Sequence, residues 1–394
     1  MTGLVRFKIA MVGLAILVRA TAAVAQGAPP PPPTPVPFAD ALRKAADDLF
    51  GKATVPGDKV NLVIDPLIDA ASGAQSTATR SMQATLMEMV KANYPRFTVL
   101  PFDSEALASK PVVLVGTFTA VNNQGVADGP RDAYRICLTL ADLKSNSVVS
   151  KGVARARIEG VDTTPTPYYR DAPLWAKDQA TDAYIKVCQG TKLGDPIDPG
   201  YVEKLTANAL INDGILAYET QHFREALAFY RAARKLPGGE QHRVRIGTYL
   251  AASKLARRED MVDAFGDLID YGLATDRLMV KLLFKPGTTQ FIDDRQITEP
   301  YPMWLSQIAT RSRQKGACLE IVGHTSHTGL PQVNERLSVL RAQFVMDLLL
   351  TGAPDSKGRM IATGRGFKEN LVGTGKDDAS DALDRRVEFK VIGC

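Results

Sequence analysis

Residues 319–348 constrain this chain more than any other stretch. The apolar run at 319–322 has the length and character of a strand. A polar segment follows it, Gly323-His324-Thr325-Ser326-His327-Thr328-Gly329. Beyond that, Leu337, Leu340, Phe344, Val345 and Leu348 recur at helical spacing. The polar residues therefore sit where a strand end meets a helix start. The first N–H groups of a helix have no internal partner, so such a junction can receive an anion.

Within this stretch Gly323, Thr325, Gly329, Asn334, Leu337, Ser338, Arg341 and Ala342 stand at fixed spacing. They resemble the peptidoglycan-binding signature of the OmpA-like domain, found also in MotB and in peptidoglycan-associated lipoproteins. Ser326 departs from that signature, which carries Asp at this place. Gly364-Arg365-Gly366 and Asp384-Arg385-Arg386-Val387-Glu388 also look like the family. The resemblance thus spans 277–394 and implies a βαβαβ domain there.

The resemblance also implies a ligand, the diaminopimelate side chain of the peptidoglycan stem peptide. Its free end carries an ammonium and a carboxylate on one carbon. Arg341 is expected to hold the carboxylate with its planar fork. Thr325 and Asn334 would add polar contacts, and Arg386 would flank the pocket. The ammonium falls to Ser326, whose neutral hydroxyl gives about 1–2 kcal/mol less than a carboxylate would. Asp377, Asp378 and Asp381 precede the last strand and are candidates to replace the missing charge. A purely local reading stands beside this one: Asn334 as a helix cap, Thr325 and Ser338 satisfied nearby, and Arg341 on the helix surface.

The N-terminus carries Arg6 and Lys8, an apolar run at 9–18, and Ala23-Val24-Ala25 as a cleavage pattern. This is the layout of a secretory signal over 1–25. An uncleaved anchor is the alternative, but the run is about half of what a span needs. Export permits disulfides. The four cysteines fall at 137, 188, 318 and 394. Pairing Cys137 with Cys188 and Cys318 with Cys394 keeps each bond within one domain; metal ligation lacks ligands at suitable spacing. A net charge of +5 without a dense basic stripe gives no case for nucleic acid.

Read in order, the chain is an α+β multidomain protein. A Pro-rich linker covers 26–37. Residues 38–195 read as an α/β, sandwich-like domain: strands at 59–66, 97–102 and 111–121, a helix at 77–94, a hairpin at 133–141 and 148–158, and a helix at 181–188. That order resembles periplasmic domains of the CsgG, FlgO and LpoB type, which implies an envelope adaptor with no functional residue carried over. Tyr168, Tyr169 and Trp175 are expected to cap the core more than to form a binding surface. Residues 201–276 read as helices. Gly214, Ala217, Ala226, Tyr230 and Ala233 resemble a tetratricopeptide repeat, here expected as a docked connector. In 277–394 strands are expected at 280–284, 318–322, 360–366 and 384–391, with helices at 302–313 and 334–351.

No enzyme is expected. Ser326 lies between His324 and His327, yet lacks a Gly-x-Ser-x-Gly elbow. Gly373-Thr374-Gly375-Lys376 lacks the first Gly of a phosphate loop. Neither metal nor cofactor is expected. The reading that results is an exported, periplasmic protein at the cell wall or outer membrane. It attaches to peptidoglycan through 277–394, with another envelope protein engaged by 38–276. The alternative is an adaptor whose OmpA-like domain no longer binds diaminopimelate.

Overall fold

A computed structural model of the protein describes residues 32–127, 131–175, 177–371, 373, 375 and 379–394. The expected signal, the first half of the Pro-rich linker, Asp377 and Asp378 lie outside the described residues.

The strands of the front half are β1 Val60–Ile64, β2 Ile68–Asp69, β3 Phe97–Leu100, β4 Val112–Val121, β5 Ala133–Asp142 and β6 Ser147–Ala156. They form one mixed sheet in the order β3-β1-β4-β5-β6, with β2 beside β4. The β1 strand runs parallel to β3 and β4, while β4, β5 and β6 are antiparallel neighbours. Every residue of β4 is buried, as its apolar run Val112-Val113-Leu114-Val115 requires of a strand covered on both faces.

Two helices cover one face: α1 Phe38–Gly51 and α2 Thr77–Asn93, packing Leu42, Leu49, Met82 and Leu86 onto Leu62, Leu114 and Phe118. The first of these was not expected from the sequence. Ala41, Leu42, Ala45, Ala46, Leu49 and Phe50 are its buried stripe at helical spacing. It lies so close to β6 that a Cβ on Gly152 would overlap the carbonyl of Ala45. The short α3 Ser104–Ala108 and α4 Pro167–Asp171 complete the front connections.

The other face is covered by α5 Gln179–Gln189, α6 Pro199–Val202 and the start of α7 Leu205–Glu219, with Val113, Val115, Tyr184, Tyr201 and Leu205 in contact. Here Cys137 and Cys188 are bonded, their Cα atoms 6.1 Å apart.

The helices α7, α8 Phe223–Arg234, α9 His242–Lys254 and α10 Arg258–Ala274 form two antiparallel pairs. The Tyr230 ring fits against Gly214 and Gly247, where any Cβ would strike it. This segment is docked on both sides. Asp178 accepts from Ala180 N and Thr181 N at 3.0 Å, capping α5, and from His242 N at 2.8 Å, capping α9. On the other side Phe265 of α10 stacks on Trp304 at 5.6 Å, and Trp304 donates to the Tyr249 hydroxyl at 2.9 Å. One apolar core runs from Tyr168 through these helices to Phe389. Tyr168, Tyr169 and Trp175 are all buried in the described structure.

The C-terminal part contains α11 Arg295–Thr298, α12 Tyr301–Lys315, β7 Cys318–Gly323, α13 Pro331–Gly352, β8 Met360–Gly364, α14 Ala379–Asp384 and β9 Val387–Ile392. Its sheet has the order β8-β7-β9, parallel then antiparallel. Cys318 and Cys394 are bonded, with Cα atoms 5.4 Å apart.

The expected first strand at 280–284 is corrected to an irregular segment with isolated bridges. Its backbone groups are divided among several partners. Lys281 N donates to Pro173 O, Phe284 N to Arg385 O, and Leu283 N to the Tyr301 hydroxyl. A segment serving the 173–175 loop, the residues just before β9 and α12 together cannot run as one ladder.

Candidate functional site

The site lies between the end of β7 and the first turns of α13. Two glycines set that approach. A Cβ on Gly323 would overlap Ser338 O, and one on Gly364 would overlap Ser338 Oγ. Ser338 Oγ donates to Glu335 O at 2.7 Å and accepts from Gly366 N at 3.0 Å. Gly323, Ser338 and the buried Ala342 therefore hold the helix against the sheet. Gly329 closes the connecting turn with φ of 94°.

The helix starts at Pro331 rather than at Asn334, with Pro in the first turn where its missing N–H costs nothing. Asn334 is thus inside the helix and does not cap it. Its Nδ2 donates to Thr328 O at 2.9 Å and pins the turn. Ser326 Oγ lies 2.9 Å from Thr328 Oγ1. Thr325 N donates to Gly366 O at 2.9 Å, while its buried hydroxyl has no partner among the described residues.

Arg341 is fully buried and not on the surface. Nε donates to Thr288 O at 2.9 Å, Nη1 to His324 O at 3.0 Å, and Nη2 to Lys285 O at 2.9 Å. Its guanidinium sits 5.1 Å from the Phe284 ring centre. No carboxylate among the described residues pairs with it. Burial, with the Arg385 charge adding to it, lowers its pKa to about 10, so it stays cationic at neutral pH. The expected two-pronged grip on a ligand carboxylate is not open in this arrangement. Three donors face carbonyls of the chain, and two of the five N–H groups remain.

Arg386 is buried as well, but in acidic company. Nε donates to Glu388 Oε1 at 2.6 Å, Nη1 lies 3.8 Å from Asp384 Oδ1, and Nη2 donates to Glu369 O at 3.1 Å. His324 joins the two arginines through its main chain. Its carbonyl accepts from Arg341, and its N–H donates to Arg386 O at 2.8 Å. The His324 ring is buried with neither nitrogen hydrogen-bonded, and Nε2 is 3.7 Å from Glu388 Oε2. Burial first, then the charges of Arg386, Lys390 and Arg365, hold its pKa well below the usual imidazole value. It is neutral at pH 7.

Asp381 and Asp384 are turned onto their own loop. Asp384 accepts from Leu371 N at 2.7 Å and Gly373 N at 2.8 Å, and Asp381 from Gly375 N at 3.0 Å. Sequence reasoning therefore named the ring of residues around His324 but missed its inner partners. These are the carbonyls of Lys285 and Thr288, and the carboxylates of Asp384 and Glu388. Pro286-Gly287 marks a turn in the sequence, yet nothing there says that this turn closes over Arg341.

No family model matches the chain. The peptidoglycan-associated lipoprotein of Legionella pneumophila is 33% identical over 99 residues, 25% of this chain and 54% of that relative. The chain thus spans about half the length of the curated relative it matches. Among solved structures, the peptidoglycan-associated lipoprotein from Burkholderia pseudomallei is 25% identical, covering 28% of this chain and 89% of its own, with a TM-score of 0.25. The cell wall anchor of the T6SS from Pseudomonas aeruginosa is 29% identical, covering 29% of this chain and 79% of its own, with a TM-score of 0.23. These matches carry neither the tetratricopeptide-like nor the CsgG-type resemblance. Among the described residues no helix is long and apolar enough to cross a membrane.

Proposed function

We propose that this is an exported, non-enzymatic protein of the cell envelope. It sits in the periplasm at the cell wall or outer membrane and attaches non-covalently to peptidoglycan through residues 277–394. One observation carries the reading: Arg341 is a fully buried cation whose partners are neutral carbonyls. A buried charge without a counter-charge is costly, and an incoming carboxylate relieves that cost. The stem peptide supplies one at its diaminopimelate end. The Legionella pneumophila relative, named for association with peptidoglycan, supports the same ligand class.

The other half of the site is weak. Ser326 offers a hydroxyl already bonded to Thr328, with no negative charge for an ammonium. Affinity below that of an Asp-bearing site follows, by about tenfold. The Ser326 hydroxyl is engaged with Thr328, and no catalytic role is proposed for it. Residues 38–276 are left as the surface for a second envelope protein.

A second reading has one observation in its favour. The Lys285 and Thr288 carbonyls occupy the face of Arg341 that a carboxylate would take. On that reading the segment is an adaptor without a ligand. Co-sedimentation of the full chain with purified sacculi separates the two. Sedimentation that survives moderate salt and is lost in Arg341→Ala supports attachment; a native protein left in the supernatant supports the adaptor.

A further inference from the structure

The geometry points to Arg131 as a positioning residue that sets the 366–371 loop of the candidate site from the front sheet. This deepens the attachment reading above and rests on it. Arg131 precedes β5 and is buried. Nη1 donates to Ala120 O of β4 at 2.8 Å, and Nη2 donates to Asn370 O at 2.7 Å. One rigid fork thus joins the front sheet to the loop that follows β8.

The far side of that loop makes the site. Gly366 O accepts from Thr325 N, and Gly366 N donates to Ser338 Oγ. The Phe367 ring lies 4.3 Å from the His327 ring. Glu369 O accepts from Arg386 Nη2, and Leu371 N donates to Asp384. The Asn370 side chain is buried with neither of its polar atoms hydrogen-bonded. The loop's main chain therefore depends on contacts from outside it, and among the described residues Arg131 gives it a hydrogen bond from the front half. Thr325 and His327 keep their positions only while this loop keeps its own. Attachment is then tied to docking of the front sheet, and anything that loosens that seam loosens the site.

The test uses the full chain with Arg131→Ala and Arg131→Lys. Amide hydrogen exchange is read at 366–371 and in β4 and β5, and affinity is read by co-sedimentation with sacculi. Arg131→Ala is expected to raise exchange at 366–371 by about tenfold with β4 and β5 unchanged. Sacculus affinity should fall by about threefold to tenfold, the loss of one or two charge-assisted contacts being shared with the loop. Arg131→Lys, which keeps the charge but not the fork, should fall between. The gain from Ser326→Asp should shrink in the Arg131→Ala background, because coupled sites are not additive.

Unchanged exchange at 366–371 overturns the assignment. So does a uniform rise across β4, β5 and the loop, which marks Arg131 as a general strut. Raised exchange with unaltered affinity also overturns it. If the native chain fails to sediment, the attachment reading falls. The exchange data then still decide whether Arg131 sets the loop.

Discussion

Arg341 and Arg386 are linked through the main chain of one residue, His324, and the fold treats their charges in opposite ways. Arg386 lies between Asp384 and Glu388 and is neutralised within the protein. Arg341 donates only to carbonyls, with the Phe284 ring beside it, and the charge of Arg385 disfavours its own. Both were expected to serve the ligand. The difference separates them: Arg386 has its anion already, and Arg341 has none among the described residues. A paired buried arginine belongs to the framework, while the unpaired one is where the proposed attachment would bring an incoming anion.

Four measurements would break or sharpen that contrast. The largest effect is expected from Arg386→Met, which takes away the cation that buried Glu388 and Asp384 face. It should cost about 3–5 kcal/mol in denaturant unfolding. A loss no greater than that of Arg341→Met would erase the distinction. Arg341→Met removes three hydrogen bonds but also an uncompensated charge, so a smaller loss of about 1–3 kcal/mol is expected. Its sacculus affinity should fall tenfold or more, whereas a framework role alone would leave binding proportional to the folded fraction.

The third is a pH effect. The folded pKa of His324 is depressed, so its contribution to stability is present above the unfolded value near 6.5. It is lost as pH falls below that value, where the unfolded chain takes up a proton that the fold refuses. Between pH 7 and pH 5 this amounts to at most about 2 kcal/mol. His324→Phe should flatten that part of the stability curve; an unaltered slope would place the proton elsewhere. The smallest change in stability is expected from Ser326→Asp, a substitution within the turn. It should leave the melting temperature within a few degrees and tighten sacculus binding by about tenfold. No gain would mean that the ligand brings no ammonium to this side.

Much of the framework was legible because it is local. Alternation in Val60, Leu62 and Ile64, the spacing of Met82, Leu86 and Val90, and the helical stripe after Leu337 all appear in the structure as β1, α2 and α13. So do the cysteine pairs, each within one half of the chain. The α1 helix carries an apolar stripe of the same kind, directly after a Pro-rich segment. What could not be read is non-local. Nothing near residue 280 says that its N–H groups will be divided among Pro173, Tyr301 and Arg385. Nothing near Arg341 says that carbonyls 53 and 56 residues away will accept from it. The family-like register told which residues surround the junction, but a register carries no information about which of them are already engaged.

Asp178 stands at two helix starts. Its carboxylate serves α5 in the front half and α9 in the helical pairs. A cap shared in this way makes the helical segment a poor unit of exchange. Moved to another protein, α9 would arrive without its acceptor, and the front half left behind would keep a carboxylate with one oxygen unemployed. Inheritance of 201–276 as a module would then require the front half to travel with it.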